Sequence, residues 1–196
     1  QGGTRFWTYP TFMDFLSDGI RLSRGMTHKN ALAGLWWGGG KGVMSRPVGL
    51  EPTHTELRQD IFKEYGRFIS SLHGCYITAE DVNIGVEDIE HVFTETTNVV
   101  GVAKMHGGSG NPSPYPARGV YRGMEAAAVK VFGERSLKDK TVSLQGAGSV
   151  GRFLGELLYE SGAKVFVTDI NETNIEKFKS LVPNAEVVGI DDIYDV

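Results

Sequence analysis

Thr141-Val142-Ser143-Leu144-Gln145-Gly146-Ala147-Gly148-Ser149-Val150-Gly151-Arg152 is the stretch on which the fold turns. Thr141 to Gln145 alternates apolar and polar residues and carries β-branched side chains, as a half-buried strand does. Gly146-x-Gly148-x-x-Gly151 follows at once, then an apolar helical pattern to Tyr159, a second strand over Ala163 to Thr168, and Asp169. A bare Gly-x-Gly-x-x-Gly is weak evidence. Between a strand and a helix, with an acidic residue about twenty positions on, it marks a dinucleotide-binding βαβ unit, with pyrophosphate among the free N–H groups of the helix N-terminus. Ala147 to Gly151 also matches a degenerate nucleophile elbow, but Asp169 behind a second strand favours the dinucleotide. The candidate cofactor-binding residues are Gly146, Ala147, Gly148, Ser149, Val150, Gly151 and Asp169.

Residues 139–196 offer those two strands and a third at Glu186-Val187-Val188, against about six in a complete doubly wound sheet. Upstream, Lys104 to Arg118 is crowded with Gly, Pro, Ser and Asn, including Pro112, Pro114 and Pro116, which argues against regular structure and for a loop that is either disordered or functional, placed as an interdomain hinge. Ala117 to Glu134 then reads as a helix with Val120, Met124, Ala127, Ala128 and Val131 on one face. The predicted fold class is α/β. An N-terminal substrate domain over 1–118 leads through a connecting helix or hinge over 119–138 to an incomplete Rossmann domain over 139–196, the two enclosing a cleft. The chain opens at Gln1 inside a motif and closes on Asp191 to Val196, which reads as an unfinished helix, so a piece of a longer protein is expected.

A second glycine-rich stretch lies at Arg24 to Gly42, where Lys29 and Lys41 are separated by an apolar run and Gly38-Gly39-Gly40 precedes Lys41. Alone, such a run is most often a surface turn. A phosphate loop is excluded twice, because Leu35 stands where its first glycine belongs and Gly42 where its hydroxyl belongs. The apolar flanks Leu35-Trp36-Trp37 and Val43-Met44 predict a buried wall beside Lys41. A buried ammonium is costly unless it is paired or neutral, so this lysine and the glycine N–H groups suit a small anionic ligand.

Around it, residues 1 to 8 read as a strand without its hairpin or sheet neighbours. Thr11 is a helix N-cap with Asp14 as a weak capping-box partner, and Phe12, Phe15, Leu16 and Ile20 follow at helical spacing in a helix that continues or restarts through Met26 to Ala33. Leu35 to Ser45 reads as a strand broken by the glycines, and Pro47 to Pro52 as a linker. A helix from Thr53 or Thr55 carries the core stripe Leu57, Ile61, Phe62, Tyr65, Phe68, Ile69 and Leu72, and ends at Gly74. Cys75 to Thr78 is a short strand that delivers Glu80 and Asp81 at its C-terminal end, where parallel sheets place ligand sites. Gly85 to Asn98 is helical.

Met26-Thr27-His28-Lys29-Asn30-Ala31 with Gly38-Gly39-Gly40-Lys41 resembles the glutamate, leucine, phenylalanine and valine dehydrogenases, most of all the leucine branch. The resemblance continues through Gly2 to Arg5, Thr78 to Val82, Gly110 to Pro114, Gly119 to Met124 and Gly146 to Gly148. It implies reversible NAD-dependent deamination of an aliphatic L-amino acid, by a homo-oligomer whose N-terminal domain also serves in dimerisation. Lys29 would bind the substrate carboxylate. Lys41 would activate the water that attacks the imine carbon, Asp81 would exchange protons with the nitrogen, and Gly2 and Gly3 would line the pocket. Three departures bear on substrate identity. Gln1 stands for a leucine, Trp36-Trp37 for Asn-Leu, and Pro116 for a threonine.

The net charge of −4 argues against a nucleic-acid partner, and no apolar run reaches the roughly 18 residues that span a bilayer. The single cysteine, Cys75, rules out an internal disulfide and fits a reducing intracellular compartment; the five histidines show no metal-ligand spacing. The expected cofactor is NAD, with no metal and no membrane, and with missing chain or a partner completing the Rossmann sheet. Two other classes share these features: a non-catalytic protein retaining the fold, and an NAD-linked hydroxy-acid oxidoreductase.

Overall fold

The N-terminal strand β1 (Thr4–Trp7) is hydrogen-bonded on both sides in the computed structural model, which describes residues 1–46 and 55–196. On one side it pairs in parallel with β2 (Gly42–Ser45), Thr4 opposite Gly42 and Trp7 opposite Ser45. On the other, the N–H groups of Gly2, Thr4 and Phe6 donate to the carbonyls of Ile77, Ala79 and Val82 at 3.2, 2.8 and 3.1 Å. This corrects the expectation of a strand without neighbours. Both partners lie far away in sequence, and neither is long enough to show a strand period of its own. Cys75 to Thr78 likewise forms no strand; Thr78 makes one parallel bridge to Val99.

The chain divides into two units, Gln1–Asn111 and Pro112–Val196. In the first, α1 (Phe12–Leu32) is one unbroken helix. Thr11 Oγ1 accepts from the Asp14 N–H at 3.1 Å and donates to its carboxylate at 2.7 Å, satisfying an orphan donor of the first turn. Its helical spacing marks the helix but not a buried face, since Phe12, Leu16 and Ile20 are exposed. The core is built from Phe6, Phe62, Ile84, Ile89, Val92, Val99 and Val102. Helix α2 (Thr55–Ser71) meets α3 (Val86–Phe93) through Arg58, which binds Asp88 at 2.6 and 2.7 Å and lies 5.5 and 5.2 Å from the Phe6 and Phe62 rings. Asp88 also accepts from the Gly85 N–H at 2.8 Å, fixing the start of α3. Of the α2 stripe, Phe62 and Ile69 are buried, whereas Leu57 and Phe68 face outward. The expected linker Pro47 to Pro52, and a helix start at Thr53, lie outside the described residues. Helix α3 stops at Phe93, short of the predicted Asn98.

In the second unit, α4 (Pro114–Phe132) precedes β3 (Thr141–Gln145), α5 (Ser149–Glu160), β4 (Lys164–Thr168), α6 (Glu172–Leu181) and β5 (Glu186–Val187). The three strands form one parallel sheet in the order β3-β4-β5. All three fall where the sequence predicts strands. The stretch 119–138 runs through α4 into the turn ahead of β3, within this unit. Pro114 and Pro116 sit in the first turn of α4, not in a loop, because first-turn N–H groups have no helical partner to lose. Between α5 and α6, Phe178 fills the space left by Gly155, where a Cβ would meet its ring at 2.4 Å. The last residues make a short 3₁₀ turn, Asp192–Tyr194, not a longer helix. No helix among the described residues is long and apolar enough to cross a membrane.

Candidate active site

The glycine loop ahead of Lys41 is stitched to α1 and β1. The buried Asn30 donates from Nδ2 to the carbonyls of Trp37 and Gly38 at 3.2 and 3.3 Å, and the Gly39 N–H donates to Thr27 Oγ1 at 3.1 Å. A Cβ on Gly39 would stand 2.1 Å from the Thr27 nitrogen, one on Gly40 2.8 Å from the Tyr76 ring, and one on Gly2 1.8 Å from the Gly40 carbonyl oxygen. Gly39 and Gly40 thus serve the approach of protein to protein, and only Gly38 of the triplet faces open space. Tyr76 closes the arrangement: its hydroxyl accepts from the Gly42 N–H at 2.8 Å and donates to the Gly2 carbonyl at 2.5 Å. Burial first of all raises the Tyr76 phenol, keeping it a donor. Behind Gly42, the hydroxyls of Thr4, Tyr65 and Thr78 bond to one another, Thr4 to Thr78 at 2.7 Å.

Lys41 leaves this frame with its side chain 6% exposed and its Nζ 2.7 Å from Asp81 Oδ1. The apolar wall beside it comes from Val43, α2, Leu72 and Tyr76: a cavity of about 400 Å³ is lined by Lys41, Val43, Tyr65, Phe68, Leu72 and Tyr76 among others. Trp36, expected in that wall, is fully exposed. Asp81 Oδ2 accepts from Arg5 Nε at 3.2 Å. Burial pushes the Asp81 carboxyl up, but the hydrogen bond from Lys41, the Val82 N–H, the Lys41 charge and the Arg5 hydrogen bond outweigh it and hold the group below the usual aspartate range. The neighbouring Glu80 goes the other way, raised by burial and then by the charge of Asp88, and its Oε1 is buried without a hydrogen-bond partner. Two adjacent carboxyls in opposite environments are a common mark of a functional site.

Lys29 stands in the last turn of α1, between the two residues that bind the glycine loop; its exposed ammonium has no side-chain partner among the described residues. Gly2 and Gly3 are buried against Gly40, the Glu80 backbone and the Asp81 Cβ, a Cβ on Gly3 falling 2.5 Å from the Glu80 carbonyl oxygen. Gly2, Gly3, Lys41 and Asp81 are therefore brought together, with Lys29 on the turn that anchors their loop. Sequence reasoning gave no role to Arg5, Asn30 or Tyr76, although Arg5 and Asn30 lie inside the quoted motifs.

In the second unit, Gly146 takes φ of +104°, which only glycine adopts without strain, and a Cβ on Gly151 would stand 2.1 Å from the Gly146 carbonyl oxygen. Gly148, at the N-cap of α5, has open space where a side chain would be. Buried Ala147 donates its N–H to Asp169 Oδ2 at 2.7 Å, and Val150 points outward beside Ser149 at the start of α5. Asp169 also accepts from the Asn171 N–H at 2.8 Å and from Asn174 Nδ2 at 3.3 Å. A bent glycine turn, an unobstructed helix N-terminus and a carboxylate at the end of β4 fit a dinucleotide. No group of three His, Cys, Asp or Glu among the described residues is placed to hold a metal ion.

Known proteins match the chain over its whole length. Residues 1–98 match the family model described as Glu/Leu/Phe/Val dehydrogenase, dimerisation domain. The chain is 47% identical over 195 residues to leucine dehydrogenase of Thermoactinomyces intermedius, covering 100% of this chain and 52% of that protein. It is 40% identical to valine dehydrogenase of Streptomyces virginiae, covering 96% and 51% respectively. Its fold matches the crystal structure of L-tryptophan dehydrogenase from Nostoc punctiforme with a TM-score of 0.63 and 35% identity, over 100% of this chain and 52% of that one. The chain thus spans about half the length of the relatives it matches.

Proposed function

Since the chain belongs to the Glu/Leu/Phe/Val dehydrogenase family, we propose that the whole protein carries out reversible NAD-dependent oxidative deamination of an L-amino acid to a 2-oxo acid and ammonia. The substrate class that its leucine and valine dehydrogenase relatives favour is aliphatic. The observation that carries this reading is the Lys41–Asp81 contact of 2.7 Å at the end of a loop folded around Gly2 and Gly40.

In this reading Lys29 binds the substrate carboxylate, for which its ammonium, without a side-chain partner among the described residues, is available, and Gly2 and Gly3 line the pocket. Asp81, held ionised, takes a proton from the substrate ammonium. Gly146, Ala147, Gly148, Ser149, Val150, Gly151 and Asp169 would hold NAD, which would supply the hydride acceptor. Lys41 takes a proton from the water that attacks the imine carbon, and Asp81 returns one to the nitrogen as ammonia leaves. The dimerisation domain named by the family model further supports a homo-oligomer.

The test uses the full-length protein with L-leucine, L-valine, L-phenylalanine and L-tryptophan. Lys41→Ala and Asp81→Asn should each lower turnover by roughly 10²–10⁴-fold, the range of acid–base catalysis, with NAD binding retained. Reduction of the 2-oxo acid should require ammonium, which a hydroxy-acid oxidoreductase would not. Near wild-type turnover in either variant would remove that residue from the mechanism.

A further inference from the structure

Asp81 is gripped by two cations of different kinds. Lys41 Nζ holds Oδ1 at 2.7 Å, and Arg5 Nε holds Oδ2 at 3.2 Å. A lysine can surrender its proton. An arginine guanidinium stays charged at every pH the protein meets. Arg5 is itself anchored, since its Nη1 donates to Asp18 Oδ2 on α1 at 3.0 Å, and Tyr9 donates its hydroxyl to the same oxygen at 2.7 Å. Burial, then the hydrogen bond to Asp18, pushes the Tyr9 phenol up to about 12, so it remains a donor through the neutral range.

The groups facing the Asp81 carboxylate are therefore Lys41 from the glycine loop, Arg5 from β1 and the Val82 N–H, with Asp18 and Tyr9 behind Arg5. When Lys41 or the substrate nitrogen exchanges a proton at Oδ1, that contact must loosen. Of the two cationic contacts, only that of Arg5 is built to persist. It fixes the carboxylate from the side away from the exchange, and two further side chains fix Arg5.

Resting on the dehydrogenase reading, we propose that Arg5 is a positioning residue, held by Asp18 and Tyr9, that keeps the Asp81 carboxylate oriented and ionised while Lys41 and the substrate exchange protons at its other oxygen. Lys41 is the transferable partner and Arg5 the permanent one. The Gly-Gly-Thr-Arg motif thereby joins close backbone packing at Gly2 and Gly3 to electrostatic control at Arg5.

The experiment follows the Asp81 carboxyl directly, by carbon-13 NMR of aspartate side chains in the full-length protein, with Asp81→Asn assigning the signal. kcat and KM against pH are measured in parallel. Arg5→Gln should raise the Asp81 midpoint and the acid limb of kcat/KM by about one pH unit, the lower end of the effect of an arginine beside an aspartate. Arg5→Lys should bring the midpoint back towards wild type yet leave kcat about tenfold down, because an ammonium cannot bridge Asp81 and Asp18 in one plane. KM for NAD should not move in either. An Asp81 midpoint unchanged in Arg5→Gln overturns the proposal. Should Arg5→Gln fail to fold, Arg5→Lys decides the matter, and a wild-type kcat there overturns it. A shifted midpoint in a protein that oxidises no amino acid would uphold the positioning and defeat the dehydrogenase reading instead.

Discussion

The two glycine-rich turns, Gly38 to Gly42 and Gly146 to Gly151, look alike in sequence and differ in what their glycines are for. In the first, the missing side chains are replaced by protein: Gly39 rests on the backbone of α1, Gly40 on Tyr76, and Gly42 on Thr4 and Tyr65. Charge reaches that site on side chains, from Lys41, Asp81 and Arg5. In the second, Gly146 supplies a left-handed bend, Gly151 lets helix and turn approach, and Gly148 keeps a space open. There the positive potential comes from backbone N–H groups. A glycine run thus signals close approach, and its surroundings show whether protein fills the space or leaves it open.

Alanine at equivalent places should separate the two turns, and the largest effect falls on the first. Gly39→Ala would press a methyl to 2.1 Å from the Thr27 nitrogen and 2.3 Å from the Ser23 carbonyl oxygen, both backbone atoms of α1 that cannot swing aside. A loss of about 3 kcal/mol, the upper range for overpacking, is expected in denaturant unfolding of the full-length protein. Gly148→Ala meets nothing within 4 Å and should leave stability within about 0.5 kcal/mol of wild type. Its effect belongs to ligand binding, with NAD weakened about tenfold, or roughly 1.4 kcal/mol, by calorimetry. The reverse pattern would mean that the roles of the two turns had been exchanged.

How far this was legible in the sequence follows from the range of the interactions. The strand–turn–helix–strand order from Thr141 to Asp169 was readable because each element carries its own local signal: alternation, glycine spacing and an apolar helical period. β1 was readable only as a segment, because its stability comes from β2 and from residues 77–82, and pairing between such distant segments leaves no local pattern. Lys41 and Asp81 stood out as residue types beside motifs, but their 2.7 Å contact depends on that same pairing. Arg5 and Tyr76 act through partners distant in sequence, Asp18 and Asp81 for the one and Gly2 and Gly42 for the other, so neither role shows in the local pattern, although Arg5 lies within a quoted motif. The prolines of α4 misled for a different reason. Composition counts them as breakers, whereas position within the first turn makes two of them compatible with the helix.

The second contrast sharpens the proposed cofactor site. Asp169 accepts from three groups of its own unit, yet an ionised carboxylate has about four acceptor sites and retains room for a ribose hydroxyl. Its negative charge opposes a 2′-phosphate, and Asn171 brings no cation to offset it. kcat/KM should therefore favour NAD over NADP by at least about tenfold, and Asp169→Asn should narrow the gap chiefly through KM for NAD. Equal values for the two cofactors in the unaltered protein would remove Asp169 from the ribose site.

The smallest expected effect tests the first unit alone, through the adjacent carboxyls Glu80 and Asp81. Asp81 is held below its ordinary range, so its contribution to stability is complete above the unfolded value, near pH 4, and fades as pH falls through the lower folded value. Glu80 is raised, so its ionised form costs stability at neutral pH, and that cost disappears once the pH drops below the ordinary glutamate range, also near 4. Asp81→Asn should therefore destabilise at pH 7, with a difference from wild type that narrows in acid. Glu80→Gln should stabilise at pH 7 by less than about 1 kcal/mol, with a gain that also vanishes in acid, because the amide replaces a carboxylate whose Oε1 lacks a partner. Urea unfolding between about pH 3 and 7 reads both signs in one series. Two variants that move stability in the same direction at pH 7 would show that the neighbouring carboxyls share one environment, and that the separation of their roles is not built into the sheet.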